Sequence, residues 1–205
     1  MAVVTVSRQY GAGGRRVAPA IAEELGFAFV DREVAEEAAR RLGLAPEVAE
    51  AMDERAPAIV EEVGMALAAA TPGYGLAPLP ELDERALAEA TRRVIASLAE
   101  AGDYVILGRG AQAALADRAD AVHLSLVADL RDRILRISEW QNVDEKEAAI
   151  RCERADSERA HYLRRFYGRD IRDPLLYDCV LNTSRLQVEG AAEIAVAVAR
   201  RKLRL

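Results

Sequence analysis

The sequence predicts an α/β fold built on a parallel sheet. Five short apolar or β-branched runs alternate with longer segments of helical period, and the first run passes through a glycine-rich turn straight into a helix. A chain of 205 residues is long enough for one well-packed domain of this class, read here as a single unit over residues 1–205. Strands separated by helices pair in parallel through right-handed crossovers, and ligands then gather at the carboxyl ends of the strands.

The elements follow in order. Val3 to Val6 reads as a buried strand, and a helix runs from the glycines to about Leu25, closed by Gly26. Phe27 to Val30 reads as a second strand ending at Asp31. From Arg32 to Ala70 the pattern is helical, with breaks at Gly43 to Pro46 and at Pro57. Thr71 to Pro80 (TPGYGLAPLP) is rich in Pro and Gly and uncharged, which marks a loop, and a long helix follows from about Glu81 to Ala101. Tyr104 to Leu107 and Ala121 to Val127 read as the third and fourth strands. Asp129 and Asp144 open two charged helices, the second reaching about Phe166. Cys179 to Asn182 is a fifth strand, and Val188 to Leu203 a last helix. Residues 7–16, 31–32, 108–110, 128–131 and 183–185 all follow strand ends and are expected on one rim.

Composition narrows the partners. The apolar share of 51% with 30% charged residues is that of a water-soluble globular protein. A net charge of −6 argues against general nucleic-acid binding, which rests on neutralising phosphates. Two cysteines, Cys152 and Cys179, make no disulfide scaffold and lack metal-ligand spacing, so no metal ligands are assigned. The opening residues lack the apolar length of a signal peptide, and no run approaches the ~20 apolar residues of a membrane span. A cytoplasmic protein without membrane attachment is expected, with a homodimer left open.

The segment Val4 to Arg16 (VTVSRQYGAGGRR) carries the most chemistry. A buried strand, a glycine loop and a helix N-terminus form an anion site, because backbone N–H groups and the helix dipole converge there. Set against the phosphate-loop pattern GxxxxGK[ST], Arg8 stands at the first glycine and Gly14 at the lysine. Arg15 and Arg16 occupy the first helical turn, where the dipole disfavours each cation by ~0.3–1 kcal/mol. A bound anion would reverse that penalty. Arg8 and Gln9 add donors from the front of the loop.

Gly108-Arg109-Gly110 repeats this logic after the third strand: either a surface turn or a guanidinium fork for a phosphate. Asp31 either caps the next helix, holds a substrate hydroxyl or positions a metal-bound water. Arg154, Glu158 and His161 share a helix face in a segment whose charges otherwise read as i,i+4 pairs. Trp140 reads first as a partly buried residue and second as a stacking platform, and His123 as a core histidine.

These residues resemble the cytidylate kinase-like family, a branch of the P-loop nucleoside monophosphate kinases. The resemblance covers nearly the whole chain, through VTVSRQYGAGGRRVAPAIAEELGFAFVDRE, YVILGRGAQAAL, ERADSERAHYLRRFYG and DPLLYDCVLNTSRL. It implies a P-loop kinase fold: three α/β/α layers, a five-stranded parallel sheet, a helical acceptor-binding region at 32–100 and an arginine-rich lid at 137–170. It implies transfer of the γ-phosphoryl of ATP, with Mg2+, to a nucleoside monophosphate such as CMP or dCMP.

By position, the resemblance assigns Ser7, Arg8, Gln9, Tyr10, Gly11, Ala12, Gly13, Gly14, Arg15 and Arg16 to the ATP side. It turns Asp31, Arg32 and Arg109 toward the acceptor and sets Arg154 and Arg159 among the lid and acceptor-site arginines. Arg15, Arg16, Arg109, Arg154 and Arg159 are the candidate catalytic cations. The residues expected to read the base edge fall on Glu158 and His161. The family's Asp-Ser-Gly motif with a later arginine here reads DREVAEE, with Glu37 at the arginine, and its P-loop lysine is Gly14. Two other functions therefore stand beside the kinase: a nucleotide-binding sensor that has lost turnover, and a kinase for a non-nucleotide small molecule.

Overall fold

The computed structural model describes residues 1–31, 33–41 and 84–205. The expected breaks near Gly43 and at Pro57, the Thr71–Pro80 loop and Arg32 lie outside the described residues. Five strands, β1 (Val3–Arg8), β2 (Ala28–Val30), β3 (Tyr104–Leu107), β4 (Ala121–Val127) and β5 (Cys179–Asn182), form one sheet in the order β2-β3-β1-β4-β5. Every pairing is parallel. The described helices are α1 (Gly14–Leu25), α2 (Glu33–Arg41), α3 (Glu84–Ala101), α4 (Ala111–Ala114), α5 (Leu130–Gln141), α6 (Glu145–Tyr167) and α7 (Thr183–Leu203).

Side chains alternate across the sheet, and each face has its own core. Val4, Val6, Val105, Leu107, Val122, Leu124 and Leu126 pack with Val17 and Ile21 of α1 and with Ala191, Ala195 and Ala199 of α7. Val3, Ile106 and Ala121 turn to the other face, against Val34 and Ala38 of α2 and Leu87, Val94 and Ile95 of α3. This is the three-layer α/β/α arrangement with the five-stranded parallel sheet that the sequence implied. A third, smaller cluster (Ile137, Ala148 and Cys152) joins α5 to α6 and takes in the ring of Tyr10.

Helix ends follow the local chemistry. Gly26 closes α1 in the left-handed conformation at φ 69°, and the Asp144 carboxylate accepts from the Glu147 N–H at 2.7 Å to open α6. Asn182 caps α7 by accepting from Ser184 N–H at 2.9 Å. Two departures from expectation concern this rim. β1 runs two residues beyond Val6, because Ser7 and Arg8 continue to pair with Ser125 and Leu126 of β4. The last helix starts at Thr183 instead of Val188, but its backbone breaks at Gln187 (φ 60°, ψ 172°), so Val188 does begin the long regular stretch.

Candidate functional site

At the carboxyl edge of the sheet, β1 delivers Arg8 and the loop Gln9–Gly13 to the start of α1. Gly11 (φ 80°) and Gly13 (φ 85°) both take left-handed backbone, which the missing Cβ permits. Space forbids a side chain as well: a Cβ on Gly11 would lie 2.9 Å from the Arg133 carbonyl oxygen. The loop therefore keeps its peptide groups turned as a cradle, ahead of the positive end of α1.

Interlocked hydrogen bonds hold that cradle. The Tyr10 N–H donates to Asp156 Oδ1 at 2.7 Å, and Arg133 Nη1 donates both to the Tyr10 carbonyl at 3.1 Å and to Asp156 Oδ2 at 2.6 Å. Arg136 Nη1 donates to the Gly11 carbonyl at 3.3 Å and to Thr183 Oγ1 at 3.0 Å, while that hydroxyl donates to the Ala12 carbonyl at 3.0 Å. Gln9 accepts from the Ala128 N–H through Oε1 at 3.0 Å. Arg133 is buried, while its partner Asp156 keeps one side open to water.

An open cleft of about 1250 Å³ lies over the loop. Its walls hold Arg8, Gln9, Tyr10, Gly11, Gly13, Gly14, Arg15 and Arg16 from the loop and α1, and Asp31 from the end of β2. Arg136, Trp140, Arg154, Glu158 and Arg159 close the other side from α5 and α6. Of the segments expected on one rim, the β1 loop and Asp31 border this cavity, whereas residues 108–110, 128–131 and 183–185 do not. Arg15 lies 5.0 Å over the Trp140 ring, and Arg16 pairs with Glu189 at 2.6 Å, both on the exposed side. Trp140 is 57% exposed and borders the cleft, a position that also suits its reading as a platform. Arg159 stands over the Tyr10 ring at 5.5 Å and lies 3.8 Å from Asp156, with its side chain mostly buried. Arg154 and Glu158 approach to 3.9 Å.

Other predicted residues lie elsewhere. Ser7 and Gly110 line a small hollow beside the cleft, which shares Arg8 and Arg159 with it, and the Ala12 side chain is packed beneath the loop. Arg109 is buried and does not border the cleft. Its backbone is notable: Gly108 (φ 78°), Arg109 (φ 59°) and Gly110 (φ 67°) form three successive left-handed residues. For a non-glycine such a conformation costs ~1 kcal/mol or more and clusters at ligand-binding positions. Gly110 is pinned by Tyr167, whose Cε2 would lie 2.7 Å from an added Cβ. His161 is exposed on α6 and borders neither cavity. His123 is buried in β4 with its Nδ1 2.8 Å from Thr5 Oγ1, and burial pushes its pKa below the usual histidine value.

Sequence reasoning placed Thr183 on the rim but missed Arg133, Arg136 and Asp156, which join it in holding the loop. Asp156 and Arg133 lie 23 residues apart on different helices, so no local spacing announces the pair. The one available signal was three arginines, Arg131, Arg133 and Arg136, at the start of a helix directly after a rim position. Among the described residues, no group of three or more His, Cys, Asp and Glu side chains could by itself hold a metal ion, and no helix is long and apolar enough to cross a membrane.

Known proteins resemble this chain in sequence or in fold. A cytidylate kinase of Sulfolobus acidocaldarius is 41% identical over 78 residues, which is 38% of this chain and 42% of that protein. Alignments with two curated cytidylate kinases span 42% and 58% of their lengths. Among solved structures, an uncharacterised protein from Eubacterium ventriosum superposes with a TM-score of 0.71 at 18% identity, covering 97% of this chain and 98% of that one. A shikimate kinase from Bacteroides thetaiotaomicron gives a TM-score of 0.53 at 18% identity over 100% of this chain and 99% of that one. These two likenesses concern the fold, which is that of the P-loop kinases. The sequence pattern of the cytidylate kinase-like family matches residues 3–185, so the chain belongs to that family.

Proposed function

We propose that this protein is an ATP-dependent phosphotransferase that passes the γ-phosphoryl group to a nucleoside monophosphate of the CMP or dCMP kind. The observation that carries the reading is the single cleft in which a glycine loop with left-handed Gly11 and Gly13 faces Arg8, Arg15, Arg16, Arg136, Arg154 and Arg159. So many guanidinium groups around one anion-binding helix start suit a polyphosphate, whose charge they would spread and orient. Phosphoryl transfer asks a protein mainly for positioning and charge, and a cleft of arginines supplies both.

Asp31 on the cleft wall fits a magnesium ion, which takes one or two carboxylates and completes its shell with phosphate oxygens and water. When bound, that ion would neutralise charge on the transferring phosphates. On the acceptor side, the left-handed Arg109 turn directly after β3 is of the kind that clusters at ligand sites, and it supports an acceptor near that strand end. Glu158 on the cleft is the candidate for reading a base edge; His161, exposed on the same helix, would need α6 to move. Two free cysteines, one of them buried, suit a reducing cytoplasm.

The test is direct. Pure protein with ATP, magnesium and a panel of nucleoside monophosphates and other phosphorylatable metabolites is assayed by phosphorus NMR for new diphosphates. Conversion of CMP or dCMP is expected. A product from a non-nucleotide acceptor alone would replace the acceptor, and nucleotide binding without any product would replace the enzyme with a sensor.

A further inference from the structure

Gly14 is a glycine for a reason different from its neighbours. Gly11 and Gly13 need left-handed backbone; Gly14 does not, since it is the first residue of α1 with an ordinary negative φ. What crowds a side chain there is the stem of Arg8. A Cβ built on Gly14 would lie 3.0 Å from Arg8 Cγ and 3.4 Å from Arg8 Cβ, with Leu107 Cδ1 at 3.3 Å. The stem of Arg8 crosses the space through which a side chain at position 14 would leave the helix. The two positions compete for the same space, and in the phosphate-loop pattern they are the ones that carry glycine and lysine in the opposite order.

We propose that Arg8 supplies the phosphate-binding cation of this loop, the charge having moved from the start of α1 to the end of β1, with Gly14 left bare to let it pass. The inference rests on the phosphate-donor reading of the cleft. Arg8 borders both the large cleft and the adjoining small hollow, so its charge serves the junction between them. Within the first turn of α1, Arg15 lies over the Trp140 ring and Arg16 pairs with Glu189 at the surface, and both border the same cleft as Arg8. A guanidinium at this point offers two parallel N–H donors to phosphate oxygens, where a lysine would offer a point charge.

The experiment is a charge exchange. Arg8→Met keeps a stem against Gly14 and removes the cation; Arg8→Gly with Gly14→Lys rebuilds the usual order; Gly14→Lys alone sets two side chains in one space. Affinity for a non-hydrolysable ATP analogue and for AMP is measured by calorimetry, with thermal melting in buffer as the folding control. Wild type is expected to prefer the triphosphate. Arg8→Met should lower that preference ~10–100-fold, the range for a charge-assisted bond to phosphate. The exchanged double variant should recover it, and Gly14→Lys alone should melt at lower temperature than either. If the double variant does not fold, Arg8→Lys against Arg8→Met decides, the lysine keeping the preference and the methionine losing it. An undiminished preference in folded Arg8→Met overturns the inference while leaving the donor site intact. Absence of any triphosphate preference in wild type overturns the donor reading itself.

Discussion

Asp156→Ala should loosen the glycine loop by a predictable amount. Asp156 receives the Tyr10 N–H at 2.7 Å and Arg133 Nη1 at 2.6 Å. The Arg133 side chain is 8% exposed and that of Asp156 28%. Removing one partner of a fully buried ion pair costs ~3–5 kcal/mol, because the remaining charge is stranded. Arg133 keeps the Tyr10 and Ala128 carbonyls as acceptors, and the exposed side of Asp156 admits water. The cost is therefore reduced to about 2–3 kcal/mol, including about 1 kcal/mol for the Tyr10 hydrogen bond. For a domain of this size that lowers Tm by roughly 4–12 °C. Denaturant unfolding of Asp156→Ala, Arg133→Met and the double variant gives the coupling directly, expected at about 1–3 kcal/mol. A loss below about 0.5 kcal/mol, or strict additivity, would refute the claim that this pair fixes the loop.

Two further outcomes are expected. Gly11→Ala should destabilise by about 2 kcal/mol or more, through left-handed strain plus the Arg133 carbonyl 2.9 Å from the new Cβ, whereas Gly26→Ala, with φ 69° and open space, should cost about 1 kcal/mol; equal losses in urea unfolding would remove the steric part of the argument. His123 has its pKa lowered chiefly by burial, with Asp178 pulling it up and Lys202 pushing it down. The folded form thus stays neutral where the unfolded chain, near 6.5, takes up a proton, so stability falls as pH drops below that value until the folded pKa is passed. His123→Asn should flatten this slope between pH 7 and the folded pKa, and identical urea midpoints against pH in both proteins would exclude His123 as its source.

Much of the fold was legible because its signals are local. β3, β4 and β5 fall on the residues expected, since a buried parallel strand is a continuous apolar run bounded by turn residues. β1 was read short because Ser7 and Arg8 are polar, and only the register with β4 shows that they remain in the sheet. The four-residue helix after Gly110 was not anticipated, because it depends on left-handed Arg109, a conformation that nothing in the residue type announces. The loop itself could be read from its glycines. Its supports could not, beyond the rim position of Thr183, because Arg133, Arg136 and Asp156 come from two later helices and meet the loop only in three dimensions. Arg15 and Arg16 were singled out by their unfavourable place at the helix start; the aromatic ring and the carboxylate that receive them lie more than a hundred residues away in sequence.

Trp140 is the sole tryptophan of the chain, and its indole stands exposed at the cleft beneath Arg15. The protein therefore contains its own optical reporter. Excited at the red edge, where tyrosine does not absorb, the emission comes from one ring that is covered by a cation of the first turn of the anion-binding helix. An incoming polyphosphate that draws Arg15 off the indole face changes that emission without any label. Stopped-flow mixing would then resolve how fast the cleft loads and empties, separately from any chemistry that follows.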